Sequence, residues 1–274
     1  MYKIKYKDNL VAFLDVIGFK SIVCNNDISL LEQYYNIIQN QLKDLKILKK
    51  EIDSFIVSDS IILITGTNIE DFISMLISIA KIQAILGTQN IWLRGGISIG
   101  KLHFDKNSPL IVGEGLINAY TLEEKLAIVP RILIDTKIIN HFKTSKNELM
   151  ETLNSKFNGS PEYQNIIYNY LPLLEYNELY EDGFLYVSYT KYLICRVLNW
   201  DNLNSEYGII IIDFIKKFKN NMYSNSEYYP KYQWIRSHLQ VSMFDIIKYI
   251  ENKEISDTVK NDLIYELRKQ IQSL

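Results

Sequence analysis

Two aspartates stand where an acid needs a reason. Asp15 lies inside the apolar run VAFLDV, Val11 to Val16. Asp59 lies between two further apolar stretches, in the triplet Ser58-Asp59-Ser60. A lone carboxylate in a core is costly unless it is paired, neutralised or bound to a cation. If both acids sit on neighbouring parts of one sheet, they can converge on a point. Two Mg²⁺ or Mn²⁺ ions held there would neutralise phosphate charge and activate a hydroxyl. The plainer alternative makes Asp59 a turn residue and Asp15 the cap of the turn that follows.

The elements that would position these acids follow from periodicity. Val11 to Val16 has the length and content of a buried strand, broken by Gly18. Ser29 to Leu48 spaces its apolar residues as an amphipathic helix does. Asp53 to Thr65 reads as a hairpin, with Ser58-Asp59-Ser60 at its tight turn. Ile69 to Leu86 is a mostly apolar helix, stopped near Gly87. Ile91 to Phe104 is a long strand, Asp105 to Pro109 a turn, and Leu110 to Val112 the returning strand. Gly113 to Ala127 is a third helix, Pro130 to Asp135 a strand, and Thr136 to Phe142 a short helix. Lys143 to Tyr180 is polar and Asn-rich, with loops and a helix around Tyr163 to Tyr170. Gly183 to Tyr189 is a strand, and the tail from Tyr207 is mainly helical. This order predicts an α+β fold, with helices on one face of a mainly antiparallel sheet.

Composition narrows the classes. The 274 residues are 47% hydrophobic and 23% charged, enough apolar surface for a packed core. Net charge is -2, with no dense Lys/Arg block, so no nucleic-acid partner is expected. The cluster Lys46, Lys49, Lys50 reads as a solvated helix end. Cys24 and Cys195 are far apart and read as reduced thiols. Met1 to Lys7 does not read as a signal peptide. No apolar run reaches the roughly 18 residues of a spanning helix. A soluble, cytoplasmic protein without membrane insertion is the expectation.

Other chemistries find no motif. His103, His141 and His238 are scattered and form no zinc pattern. Gly95-Gly96 and Gly113-x-Gly115 fit neither a dinucleotide fingerprint nor a P-loop. No Gly-x-Ser-x-Gly elbow occurs. The aromatic stretch Tyr223 to Trp234 has too little basic charge for a base-stacking groove and reads as packing.

Four segments in order resemble the class III nucleotidyl cyclase family: LDVIGFKSIV, Leu14 to Val23; FIVSDSIIL, Phe55 to Leu63; LRGGISIGKL, Leu93 to Leu102; and IVGEGLINAYTLEE, Ile111 to Glu124. They span most of residues 8 to 135. Within the family the chain is similar in particular to the bacterial pyrimidine cyclases of Pycsar antiphage defence. That similarity continues weakly through DGFLYVSY and KYQWIRSHL, Lys231 to Leu239. The resemblance implies a ferredoxin- or palm-like cyclase domain over residues 1–200. It leaves 201–274 as a helical C-terminal extension packed on that domain.

It also implies a reaction. Asp15 and Asp59, helped by the Val16 carbonyl, would hold two divalent cations, Mg²⁺ or Mn²⁺. The turn Ile17 to Lys20, including Gly18, Phe19 and Lys20, would offer N–H groups to the triphosphate. The ribose 3′-hydroxyl would attack the α-phosphorus and pyrophosphate would leave. The substrate would be a pyrimidine nucleoside triphosphate, and the cyclic product would be sensed by a separate cyclic-nucleotide effector. A site shared between subunits would require a homodimer.

The chain departs from the family at two places. Phe55 stands where purine cyclases carry a base-reading Lys, so it is either a stacking surface for a base or core. In the helix from Gly113, the family's transition-state Asn and Arg fall on Ile117 and Thr121, with Asn118 one residue away. Arg94 or Arg131 would then supply the charge, or each is an ordinary ion-pairing residue. Rival readings are a purine cyclase, a polymerase or dinucleotide cyclase on a palm-like sheet, and a non-catalytic cyclase-like module that binds a nucleotide or protein. The GGDEF-type signature is absent.

Overall fold

The structure is a computed structural model that describes residues 3–45, 52–105, 110–159, 173–176, 183–198, 207–224, 226, 228–251 and 257–274. It divides into two compact units. One comprises Met1–Ile82 with Ile91–Ser188; the other comprises Gln83–Asn90 with Tyr189–Leu274.

The first unit is built on one sheet. Strand β1 (Lys7–Val16) is an interior strand, and Leu10, Val11 and Ala12 are buried in succession because both its faces are covered there. β2 (Asp53–Val57) and β3 (Ser60–Thr65) form the expected hairpin, with Ser58 at φ 57 in the turn. β4 (Leu93–Phe104) lies on the other side of β1, and β5 (Ile111–Gly113) folds back on its end. β6 (Ile132–Ile134), β7 (Leu174–Tyr176) and β8 (Leu185–Val187) complete the order β2-β3-β1-β4-β6-β8-β7. Every pairing is antiparallel except β4 with β6. The mainly antiparallel α+β architecture expected from the sequence is the one observed.

The helices of this unit are α1 (Phe19–Cys24), α2 (Ile28–Leu45), α3 (Ile69–Thr88), α4 (Glu114–Leu126), α5 (Thr136–His141) and α6 (Lys146–Gly159). The last residues of α3 fall in the second unit. Gly87 lies inside the last turn of α3 and does not stop the helix.

α6 and β7 correct the expectation of loops over Lys143 to Tyr180. Among its described side chains, α6 buries Leu149 and Leu153 at i and i+4. Such a pair is too sparse to stand out in a polar stretch. The helix expected around Tyr163 to Tyr170, the Lys46, Lys49, Lys50 cluster and most of the Asp105 to Pro109 turn lie outside the described residues.

The seating of α4 depends on two glycines. A Cβ on Gly96 would come 2.5 Å from the Ala119 carbonyl oxygen and 2.8 Å from Leu122 Cβ. A Cβ on Gly95 would come 2.6 Å from the Phe13 carbonyl oxygen. Glycine therefore lets α4 and β1 approach β4 from its two sides. Val11, Ile62, Ile64, Leu102 and Ala119 form the core between sheet and helix, with Phe13, Phe55 and Phe104 at its margin.

The second unit is helical: it holds the end of α3 and then α7 (Thr190–Val197), α8 (Tyr207–Ser224), α9 (Tyr229–Glu251) and α10 (Asp257–Ser273). α7 was not anticipated; six of its eight residues are buried, so it lacks a polar face to reveal its period. Among the described residues no helix is long and apolar enough to cross a membrane.

Candidate active site

Antiparallel register sets the site. Asp15, one residue from the end of β1, lies directly opposite Arg94, the second residue of β4. Opposed residues point to one face. The Arg94 Nη2–H donates to Asp15 Oδ2 at 3.3 Å. The same guanidinium reaches α4, where its Nε lies 2.8 Å from Glu123 Oε1. Glu123 is 3% exposed and completes a buried stripe with Gly115, Ala119 and Leu122.

Asp59 enters from the β2–β3 turn. Its position is fixed from α2 by two tyrosines. The Tyr34 hydroxyl donates to the Asp59 carbonyl at 3.2 Å, and the Tyr35 hydroxyl donates to the Ser58 carbonyl at 3.0 Å. Burial pushes the Tyr34 phenol well above its ordinary range, with Tyr35 and Asp59 adding to the effect.

The electrostatics show a shortage of positive charge. Burial pushes the Asp15 carboxyl up to about 6, and the nearby Asp59 carboxylate adds to this. Burial likewise pushes Glu123 up to about 7, with Asp15 and Asp59 contributing. Arg94 lowers both without offsetting the rise. Two hard oxygen donors, half-buried and mutually repelling, suit Mg²⁺ or Mn²⁺. Among the described residues no group of three or more His, Cys, Asp or Glu is gathered for a metal, so a cation here would take other ligands from outside the pair.

The remaining predicted residues distribute as follows. Val16 ends β1, and the Ile17 N–H donates to the Trp92 carbonyl at 2.9 Å. That amide is therefore engaged, and free donors in the turn begin at Gly18, which has φ 79. Phe19 is buried with its ring 5.8 Å from Tyr34, whereas Lys20 is exposed on α1. Phe55 is half-buried, edge-on to Phe104 at 6.1 Å.

Asn118 and Thr121 do not share the Asp15 corner. They line a separate open cleft of about 310 Å³ with Lys125, Asp135, Thr136 and Phe184. Asn118 donates to Glu114 and Thr121 donates to the Ile117 carbonyl. Arg131 is 3% exposed, and its Nη2–H donates to the Leu126 carbonyl at the end of α4. That contact satisfies a terminal helix carbonyl. Arg94, of the two candidate arginines, is the one beside the carboxylates. Glu123 was assigned no role from sequence.

No protein-family model matches the chain, and no curated protein matches it. Solved structures do. The adenylyl cyclase CyaB from P. aeruginosa is 18% identical, covering 52% of this chain and 83% of its own, with a TM-score of 0.40. The guanylyl cyclase domain of the RhoGC fusion protein from the aquatic fungus Blastocladiella emersonii is 15% identical, covering 68% and 98%, with a TM-score of 0.41. The guanylate cyclase domain of RhGC from Catenaria anguillulae in complex with GTP is 14% identical, covering 68% and 98%, with a TM-score of 0.40. Scores and identities this low assign no activity to the chain.

Proposed function

We propose that the protein is a nucleotide cyclase that converts a nucleoside triphosphate to a 3′,5′-cyclic nucleotide and pyrophosphate. The observation that carries this reading is the convergence of Asp15 and Asp59, with burial and mutual repulsion left uncompensated by Arg94. The four ordered segments that resemble the class III cyclases run through the same corner. Asp15, Asp59 and the Val16 carbonyl would hold two divalent cations, which would supply charge neutralisation and a more acidic ribose hydroxyl. The substrate's own phosphate oxygens complete such a site.

The chain's residues have separate tasks. The carboxylates fix the position of the reacting end of the substrate. Amides from Gly18 onward, where α1 begins, face the phosphate oxygens. Arg94 places a permanent positive charge beside Asp15, where negative charge grows as pyrophosphate departs. In the reaction the 3′-oxygen bonds to the α-phosphorus as the α–β bridging bond breaks. The hydroxyl proton goes to solvent or to the leaving phosphate.

The finer reading is a pyrimidine cyclase, UTP or CTP, that signals in antiphage defence through a separate cyclic-nucleotide effector. Its support is the particular likeness of the FLDVIGFK, SDSIIL, LRGGISIG and AYTLE segments. An aromatic Phe55, in place of a base-reading Lys, agrees with it. The site would be completed in a cytoplasmic homodimer, with α4 of one copy facing the carboxylates of the other. Exposed Ile117 and Tyr120 on α4 suit such a contact.

One feature favours a second reading, a cyclase-like module that binds nucleotide without turnover: Thr121 stands where an arginine is expected. The two are separated by α-phosphate-labelled nucleotides resolved by chromatography. A cyclic product made by the wild type and lost in Asp59→Asn supports the cyclase. Retained nucleotide without product supports the module.

A further inference from the structure

We propose that Glu123 is a positioning residue of this site, one that holds the Arg94 guanidinium toward α4 so that Asp15 remains available to a divalent cation. The inference rests on the cyclase reading above.

Three observations carry it. First, Arg94 sits between two acids, with Nε 2.8 Å from Glu123 and Nη2 3.3 Å from Asp15. The shorter contact, to the helix, is an ion pair without hydrogen-bond geometry, and the longer, to the strand, is a hydrogen bond, so the guanidinium is shared between the two acids. Second, Glu123 is 3% exposed whereas Arg94 and Asp15 keep 28% and 18% exposure. The acid anchors from the interior, and the guanidinium and Asp15 face the open side. Third, Glu123 prolongs a buried stripe whose other members are Gly115, Ala119 and Leu122. An apolar residue there would seat the helix without burying a charge, which is the costlier choice. Local rules of this kind are broken at functional sites.

The consequence is a competition. Asp15 can be neutralised by Arg94 or by a cation. With Glu123 present, the guanidinium is shared and drawn away from the metal side. Without it, Arg94 has Asp15 as its remaining acid, and a cation must displace it. Outer partners that orient a ligand commonly change metal affinity by about 10- to 100-fold.

The experiment measures Mn²⁺ binding to the full-length protein without nucleotide, at pH 8, from the electron paramagnetic resonance signal of free Mn²⁺. Glu123→Gln is expected to weaken binding about tenfold. Glu124→Gln, which removes the same charge one residue away, is expected to leave it unchanged. Arg94→Ala is expected to tighten binding, and in that background Glu123→Gln is expected to add nothing. Glu123→Asp keeps the charge with a shorter reach and is expected to recover part of the loss; it also serves if Glu123→Gln does not fold. Unchanged affinity in Glu123→Gln would overturn the proposal. So would an equal loss with Arg94 absent, because Glu123 would then act by charge alone. If the wild type binds no Mn²⁺ and Asp15→Asn behaves identically, the cyclase reading itself fails and this inference falls with it.

Discussion

The corner at the end of β1 and the helical core around α9 treat buried polarity in opposite ways. In the helical unit the Thr190 and Ser242 hydroxyls meet at 2.7 Å, fully enclosed. His238 lies flat on Trp234 with ring centroids 3.7 Å apart, and its Nδ1 is 2.8 Å from the Trp234 carbonyl. Buried Gln270 donates to Glu266. These groups find neutral or local partners. At the Asp15 corner one guanidinium, Arg94, lies between two carboxyls, Asp15 and Glu123, and both are pushed up toward neutrality. A satisfied polar group specifies a fold; an acid pair held together against its own repulsion implies a charged ligand.

The comparison breaks first at the acids. Asp15→Asn or Asp59→Asn should reduce cyclic-nucleotide formation by roughly 10³-fold, the scale of removing a transition-state charge stabiliser. The thermal midpoint should stay or rise, because each change removes repulsion. A matching fall in midpoint would make these acids structural.

Next comes the platform. Gly96→Val should cost about 1–3 kcal/mol or more in chemical denaturation, because its side chain would meet the Ala119 carbonyl and Leu122. Activity should fall with it, since α4 carries Glu123. Wild-type stability would mean that α4 is not seated where the sheet requires it.

The helical unit gives the contrasting result. Thr190→Val should cost about 1–2 kcal/mol by leaving the Ser242 hydroxyl buried without its partner. Product formation per folded molecule should not change. A loss of turnover without a loss of stability would tie that hydroxyl pair to catalysis.

The smallest effect is the pH dependence. Asp15 and Glu123 have folded values of about 6 and 7, above those of an unfolded chain at roughly 4. The folded state therefore holds protons at these two groups more tightly, and their contribution to stability is fullest below about pH 4. It declines as pH rises through about 6 and 7. Asp15→Asn should flatten the first part of that decline in thermal midpoints read at successive pH values. Added Mn²⁺ should raise the midpoint more at pH 8 than at pH 5, since a cation competes with the proton.

Sequence reading reached the sheet strands that alternate or run apolar, the hairpin carrying Asp59, and helices α2 to α4. It also singled out Asp15, an acid inside VAFLDV, and Asp59 at the hairpin turn, and their proposed role came from the resemblance of the four segments rather than from spacing. It missed α6, whose buried residues among the described side chains are the sparse pair Leu149 and Leu153, and α7, which is buried on nearly every side. It missed Glu123 for a different reason. Helical spacing puts Glu123, but not Glu124, four residues after Ala119 on the buried stripe, yet its contact with Arg94 arises only from the register of β1 on β4 and the way α4 crosses Gly96. The turn donors were misjudged at Ile17 for a similar reason, since its amide is taken by Trp92, far away in sequence.

The most direct test incubates the purified protein with Mn²⁺ and, separately, ATP, GTP, CTP and UTP, with products identified by mass spectrometry. One cyclic mononucleotide from a single pyrimidine triphosphate is the expected result, and it must vanish in Asp59→Asn. No cyclic product from any of the four, by a protein that binds Mn²⁺ and is dimeric, would contradict a catalytic role for the Asp15–Asp59 pair.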